Sequence, residues 1–318
     1  MAMMAHGILL PRDIPASEVV HFARHVEDLG FQELWVVEDR GFRGGVAQAA
    51  AVLASTTSLR VGIGILPAAV RNVVFAAMEV ATLAQLFPRR IDVGLGHGMP
   101  AWLDSVGARP SRPLSFLEEY VQAMTALLRG ERVAADGRID VRDVALEPSA
   151  LPDVVPDIFL GVRGPKSLAV SGRLAAGTVL AEPSSPEYVR VARAQIDASS
   201  RHRIVAYNVA VVADTNADAF ATARPALQYV GDDDWGPHIA PLPFASELAD
   251  LRTTSRTRTQ FAERLPDEWV AQLALAGTPS TVRRRLRQLG EAGVTSSVMI
   301  PVGPDPFSAV TSFAQLID

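Results

Sequence analysis

The segment from Arg60 to Trp102 constrains the fold of this chain most, because it reads as a buried strand, a helix and a second buried strand that opens into glycines. The first strand is Arg60-Val-Gly-Ile-Gly-Ile-Leu66, a helix follows from about Asn72 to Leu86, and the second strand is Ile91-Asp-Val-Gly-Leu95, leading into Gly96-His-Gly98. Strands that are apolar on both faces belong to parallel sheets covered by helices. Glycines at strand ends let a backbone approach a flat ligand without a Cβ in the way. The carboxyl ends of parallel strands are where α/β folds build their sites. The segment therefore points to a cofactor-using α/β enzyme.

Strand and helix patterns alternate along almost the whole chain, which favours a parallel sheet. Strands are expected near His6–Leu10, Gln32–Val37, Arg60–Ile65, Ile91–Leu95, Asp157–Val162, Gly177–Ala181, Ile204–Val212 and Ser296–Ile300. That is the strand count of a closed barrel, so the expected fold is an α/β TIM-type (β/α)8 barrel with rim insertions. Helical periodicity runs over Ser17–Leu29, Gly45–Thr57, Pro113–Leu128, Lys166–Ala175, Pro186–Ser199, Ala217–Tyr229 and Pro279–Ala292. Arg132 to Val144 reads as a short rim hairpin turning at Asp136-Gly137. Gly231 to Leu265 reads as an irregular insertion, of the kind that serves as a binding loop or lid. No linker composition divides the chain, so residues 1–318 are expected to form one domain.

Hydrophobic residues make up 48% of the 318 residues and charged residues 20%. No apolar run is long enough to span a bilayer, and the N-terminus lacks the basic region of a signal peptide, so a soluble, cytoplasmic protein is expected. A formal net charge of −5 argues against nucleic acid or an anionic membrane as partner and favours a small molecule. The chain has no cysteine, which excludes disulfides, thiolate nucleophiles, iron–sulfur clusters and cysteine zinc sites.

Gly94-Leu-Gly96-His-Gly98 lacks the spacing of a dinucleotide fingerprint, and no Walker-type lysine follows a glycine loop. Gly161-Val-Arg-Gly164-Pro-Lys166-Ser167 joins a strand directly to a helix. Free N–H groups at that helix start, beside Arg163 and Lys166, make an anion site; the alternative is a tight turn with two solvated cations. Glu38-Asp39-Arg40 ends the second strand at the barrel face where catalytic groups gather, and its carboxylates are suited to holding a substrate or moving a proton. A solvated loop with a local ion pair is the competing account. His97, between glycines at the end of the fourth strand, is suited to donate to a cofactor ring, to act as acid or base, or to hold structure. His21 and His25 have metal-like spacing but no third ligand, so no metal is expected. Arg283-Arg-Arg-Leu-Arg287 reads as the wet face of a helix, and no nucleophile-elbow sequence supports a hydrolase.

These pieces together resemble the bacterial luciferase-like superfamily of flavin-dependent monooxygenases and coenzyme F420-dependent oxidoreductases, over nearly the whole chain. The matching stretches are Leu29 to Asp39, Val61 to Leu66 followed by Arg71, Ala81-Thr-Leu83, Arg90 to Gly98, Glu118 to Glu131, Gly161 to Lys166, and Ala276-Gly-Thr-Pro279 leading to Glu291-Ala-Gly293. The resemblance implies a TIM-type barrel and a homodimer. It implies a non-proline cis peptide at Gly64–Ile65 behind the cofactor ring, with His97 and Gly98 lining that ring. It also implies that Arg163, Gly164, Pro165 and Lys166 hold the cofactor phosphate. Two positions depart from the pattern of alcohol- and sugar-phosphate-oxidising relatives: Arg40 stands where they have histidine, and Met99 where the sugar-phosphate enzymes have a carboxylate. Arg40 does not deprotonate at ordinary pH, which suits holding an anion or polarising an oxygen.

The expected function is transfer of hydride from reduced F420 to an electron-poor C=C or C=N bond of a small or peptide-borne substrate, with Glu38, Asp39, Arg40 and His97 at the substrate. The alternatives are an FMN-dependent monooxygenase on the same barrel and a degenerate barrel acting as a binding or scaffold subunit.

Overall fold

The computed structural model of the chain describes residues 4–317. Met1, Ala2 and Met3, part of the N-terminal stretch read above, and Asp318 lie outside the described residues. In chain order the first half contains β1 (Ala5–Leu9), α1 (Val19–Asp28), β2 (Glu33–Val36), α2 (Gly45–Ser55), β3 (Arg60–Pro67), α3 (Val73–Leu86), β4 (Ile91–Gly96), α4 (Pro100–Ser105) and α5 (Pro113–Leu128). The hairpin β5 (Val133–Asp136) and β6 (Asp140–Val144) follows, then β7 (Asp157–Gly161), α6 (Pro165–Leu174), β8 (Gly177–Leu180), α7 (Pro186–Ile196) and β9 (Arg203–Val212). The remainder is α8 (Asn216–Ala223), α9 (Gly236–Ile239), α10 (Ala245–Thr253), α11 (Arg258–Glu263), α12 (Asp267–Leu273), β10 (Leu275–Gly277), α13 (Pro279–Ala292), β11 (Ser296–Pro301) and α14 (Pro306–Phe313).

The parallel order β9-β11-β1-β2-β3-β4-β7-β8 closes through a β8–β9 pairing into an eight-stranded barrel among the described residues. These strands are the eight expected from their apolar runs. Side chains alternate across each strand, so one set packs on the surrounding helices and the other fills the lumen. The lumen set includes Leu9, Trp35, Phe159, Val179, Val205, Tyr207 and Val298. Trp35 lies edge-on to Phe159 and Tyr207, with ring centroids 6.0 and 5.9 Å apart. Its register partner on β3 is Gly62, where a Cβ would fall 2.2 Å from the indole. The indole thus takes the space of the side chain that Gly62 lacks.

Two expectations are corrected, and one strand went unread. The 231–265 segment is not irregular: it carries a 3-10 turn at Asp233–Trp235 and helices α9, α10 and α11. Short helices of four to nine residues, broken by prolines, give little periodicity to read. Ile239, Leu242, Phe244, Leu248, Phe261 and Leu265 pack with Val209, Val211, Ala219 and Phe220 into a second apolar cluster above the end of β9. β10 adds to this outer half of β9, a strand too short to register in the sequence. The arginine run of α13 is also not uniformly wet. Arg285, with 15% of its side chain exposed, donates to the Gln272 carbonyl at 2.6 Å, and Arg283 donates to the Gln315 carbonyl.

Glu27, on the last turn of α1, is the anchor of the α2–β3 turn. Its carboxylate accepts from the N–H groups of Thr57, Ser58 and Leu59 at 2.9, 2.6 and 3.1 Å, and from the Ser58 hydroxyl at 2.8 Å. Partial burial pushes its pKa up, but these donors outweigh burial and bring it down to about 2. A depressed carboxyl pKa stabilises the fold above the unfolded-state value, about 4.3, and that stability is lost as pH falls through about 2. Glu27→Gln is expected to cost about 1–2 kcal/mol at pH 7, measured by urea unfolding. The gap from wild type should close as pH drops below about 4; a pH-independent gap would contradict this account.

Candidate active site

The site is built where β3 leaves the regular ladder. Ile63 pairs with Val93 and Leu66 with Leu95, so β3 carries one residue more than β4 over this interval. The extra length falls at Gly64–Ile65, whose peptide bond is cis, as the resemblance implies. Both residues are half-buried at the mouth of the barrel. The glycines of neighbouring strands have a different role from that expected. A Cβ on Gly96 would lie 2.4 Å from Ile65 Cδ1, one on Gly161 2.4 Å from Ile65 Cγ2, and one on Gly94 3.1 Å from the same methyl. Gly94, Gly96 and Gly161 therefore make room for the Ile65 side chain and not directly for a flat ligand. Gly98 has φ +74° and packs against Pro67, so it turns the chain out of β4.

Past β2 the carboxylates are paired, though not with the expected arginine. Glu38 receives both arms of Arg71, one at 2.8 Å, and the Gly45 N–H at 2.7 Å. Its oxygens are thus occupied by a guanidinium and by the N-terminus of α2, which favours a negative charge there. Asp39 meets Arg12 at 2.7 Å, and Arg12 also stacks on Phe42, 4.9 Å from its ring centre. Arg40 is exposed on the turn and forms no side-chain hydrogen bond or ion pair with a described residue. Of the residues singled out beyond β2, Glu38 and Asp39 sit at the mouth as held groups, and Arg40 pairs with neither.

His97 and the start of α6 come together. His97 Nε2 lies 3.2 Å from the Ser167 hydroxyl, and burial lowers the imidazole pKa, against a hydrogen bond to the Pro113 backbone that raises it. The ring is therefore neutral near pH 7. Gly164 caps α6 without a side-chain partner, and Pro165 occupies its first turn. The N–H groups of Lys166 and Ser167 have no carbonyl within the helix to reach. A Cβ on Gly164 would meet nothing within 4 Å, so the helix start faces open space, and Lys166 is exposed beside it. Arg163 is drawn elsewhere: it donates to the Asp234 carbonyl at 2.7 Å and lies 5.1 Å from the centre of the Trp235 ring.

Several residues of this arrangement carry no sequence signal of the partner they meet. Arg12 and Arg71 are remote from Glu38-Asp39, and only the closure of the barrel brings them in. Ser167 is an ordinary first-turn serine, Tyr207 lies on a strand whose lumen face is not evident from an apolar run, and Glu182 lies in the turn past β8. A surface hollow of about 240 Å³ lined by Arg60, Arg89, Val154 and Asp157 lies at the opposite, N-terminal end of the barrel. It is far from these groups and takes no part in the site.

The fit of Ile65 among glycines can be tested directly. Gly161→Ala places a methyl on Ile65 alone and is expected to destabilise the protein by about 1–3 kcal/mol. Adding Ile65→Ala should recover most of that loss. Additive losses in a double-mutant cycle followed by urea unfolding would sink the steric explanation.

The luciferase-like monooxygenase family profile matches residues 2–296. The chain is 24% identical to 5,10-methylenetetrahydromethanopterin reductase of Methanolobus tindarius, over 96% of this chain and 97% of that protein. The coenzyme F420-dependent tetrahydromethanopterin reductase of Methanopyrus kandleri superposes with a TM-score of 0.85 at 21% identity, covering 99% of each chain. The FMN-bound oxygenating constituent of 3,6-diketocamphane monooxygenase from Pseudomonas putida superposes with a TM-score of 0.72 at 16% identity, covering 99% of this chain and 98% of that one. With its closed barrel, the cis peptide at Gly64–Ile65 and a family match over most of its length, the chain belongs to the luciferase-like monooxygenase family.

Proposed function

We propose that this protein is a reductase that uses reduced coenzyme F420 to deliver hydride to an electron-poor C=C or C=N bond of a small or peptide-borne substrate. Family membership makes it an F420- or flavin-dependent oxidoreductase; the choice of F420 and of the reducing direction goes further. Relatives named as reductases, matched along almost the whole chain, support both choices.

The observation that carries the proposal is the placement, at one end of the barrel, of the Gly64–Ile65 bulge and the α6 N-terminus, bridged by His97 and Ser167. The residues present fit such a cofactor. Lys166, Ser167 and the first turn of α6 would hold its phosphate, Gly64 and Ile65 would back the ring, and His97 with Gly98 would line its edge. Bound there, the reduced deazaflavin supplies hydride. The chain supplies position: neutral His97 engages Ser167 through one ring nitrogen, and the Glu38–Arg71 pair fixes the loop past β2. A degenerate scaffold would have no need to keep this cradle. The second reading, an FMN-dependent monooxygenase, draws on the likeness to the FMN-bound oxygenase fold.

Calorimetric titration of the apo-protein with F420 and with FMN separates the two. F420 should bind in preference, and Lys166→Ala should weaken it about 10-fold, the loss of one charge-assisted contact. Preference for FMN, with rapid oxygen consumption by the reduced protein, would instead establish the oxygenase.

The proposed homodimer has a candidate face on α3, where Phe75, Met78 and Leu86 are 67%, 46% and 65% exposed. They recur at helical spacing along one side. No helix among the described residues is long and apolar enough to cross a membrane, so this face is not part of a span. A dimer is expected by sedimentation velocity, and Phe75→Asp with Met78→Asp should yield monomer. A monomeric wild type would refute it.

A further inference from the structure

Glu38, Asp39 and Glu182 stand at the C-terminal ends of barrel strands, and two of them are already paired. Glu38 is held by Arg71 and the α2 N-terminus, and Asp39 by Arg12. Glu182, just past β8, forms no ion pair with a described residue. Its backbone is anchored instead. The Glu182 carbonyl accepts from Trp235 Nε1 at 2.8 Å, and the Glu182–Pro183 bond is cis. The Pro183 carbonyl lies 3.2 Å from Nδ1 of buried His238. Burial, with Arg163 nearby, holds the His238 pKa down to about 3, so that ring is neutral and donates through Nδ1. Trp235 and His238 thus clamp the residues on either side of the cis bond and hold half-buried Glu182 at the C-terminal end of β8.

The ionisable groups around that carboxyl come from three strand ends and from the middle of β9. They are Arg12 past β1, Asp39 past β2, Arg163 past β7, and the phenol of Tyr207 on β9. Both cations are committed to other partners, Arg12 to Asp39 and Arg163 to the Asp234 carbonyl and the Trp235 ring. Burial pushes the Glu182 pKa up, and Asp39 adds to the rise; its own backbone N–H, Arg163 and Arg12 pull it down without offsetting burial. The Tyr207 hydroxyl has no hydrogen-bond partner and abuts Gly64, where an added Cβ would lie 2.0 Å from it. A carboxyl with no ion pair to a described residue thus lies near a buried unpaired phenol, and that phenol adjoins the bulge proposed to back the cofactor.

We propose that Glu182 is the catalytic acid of this site, giving its proton to the substrate atom that does not receive hydride. This rests on the F420 assignment above. Bound there, the reduced deazaflavin would supply hydride with its electron pair to one atom of the double bond, and Glu182 would give its proton to the π pair at the other. The substrate gains two electrons and the cofactor loses two. The Glu182 carboxylate left behind recovers a proton from water.

The test uses the full-length protein and its Glu182→Gln variant. At pH 7, infrared difference spectra of the apo-protein should show a protonated carboxyl band in wild type that the variant lacks. Saturating F420 should shift that band, and the variant should bind F420 within about 3-fold of wild type. With reduced F420 and cyclohexenone as the probe acceptor, the variant should lose about 10²-fold or more in kcat at unchanged KM. An ionised Glu182, a band indifferent to bound F420, an unaltered kcat, or loss of F420 binding in the variant would each overturn the assignment. Failure of wild type to bind F420 would overturn the cofactor reading, and this proposal with it; F420 binding beside an ionised Glu182 would overturn this proposal alone.

Discussion

The guanidinium of Arg203, at the floor of the barrel, is the interaction on which the rest is stacked. It reaches Asp92 of β4 at 2.9 Å, Glu33 of β2 at 3.2 Å and Asp157 of β7 at 3.3 Å, so one side chain from β9 ties strands on opposite sides of the lumen. Arg60 adds a second contact to Asp92 at 2.7 Å. Buried ions cost several kcal/mol each unless they are paired and hydrogen-bonded. Here Glu33 also accepts from Ser296 at 2.6 Å and from Trp35 Nε1 at 2.8 Å. That last bond sets the height and tilt of the indole. The indole fills the space over Gly62 and supports Tyr207, whose hydroxyl abuts Gly64. The position of the bulge at the mouth is thus transmitted from the charged floor by contact between successive layers.

Several charges of the rim are paired: Glu38 and Asp39 are answered by Arg71 and Arg12, and Arg163 is turned into the 231–239 segment. Arg40 and Lys166 are exposed with no ion pair to a described residue, and Glu182 likewise has no cation partner among the described residues. The helical segment after β9 belongs to the same scheme. Through Trp235 and His238 it fixes the residues following β8, and through Asp234 it removes one cation from their neighbourhood.

The strands and the glycine–proline turn that opens α6 were legible from local sequence. Two-sided apolar runs mean parallel strands wherever they occur, and a glycine–proline–lysine turn after a strand opens a helix irrespective of context. The family resemblance placed the cis bond at Gly64–Ile65 by position. Helices α4, α9, α10, α11 and α14 were not read, because segments of four to nine residues take their stability from packing more than from their own periodicity. The purpose of Gly94 and Gly96 was misread, and that of Gly161 beside Ile65 was not read, for a related reason. A glycine records that space is needed, and only the packed structure names Ile65 as the occupant.

Sequence alone determined the class of fold and the end of the barrel where chemistry can occur, since both follow from hydrophobic period and from which residues terminate strands. Tertiary structure decided the partners. Arg71 lies 33 positions from Glu38, and Arg12 lies 27 from Asp39; Arg40, adjacent in sequence, pairs with neither. Electrostatic energy depends on distance through space, and in a closed barrel the strand ends that face one another come from distant parts of the chain.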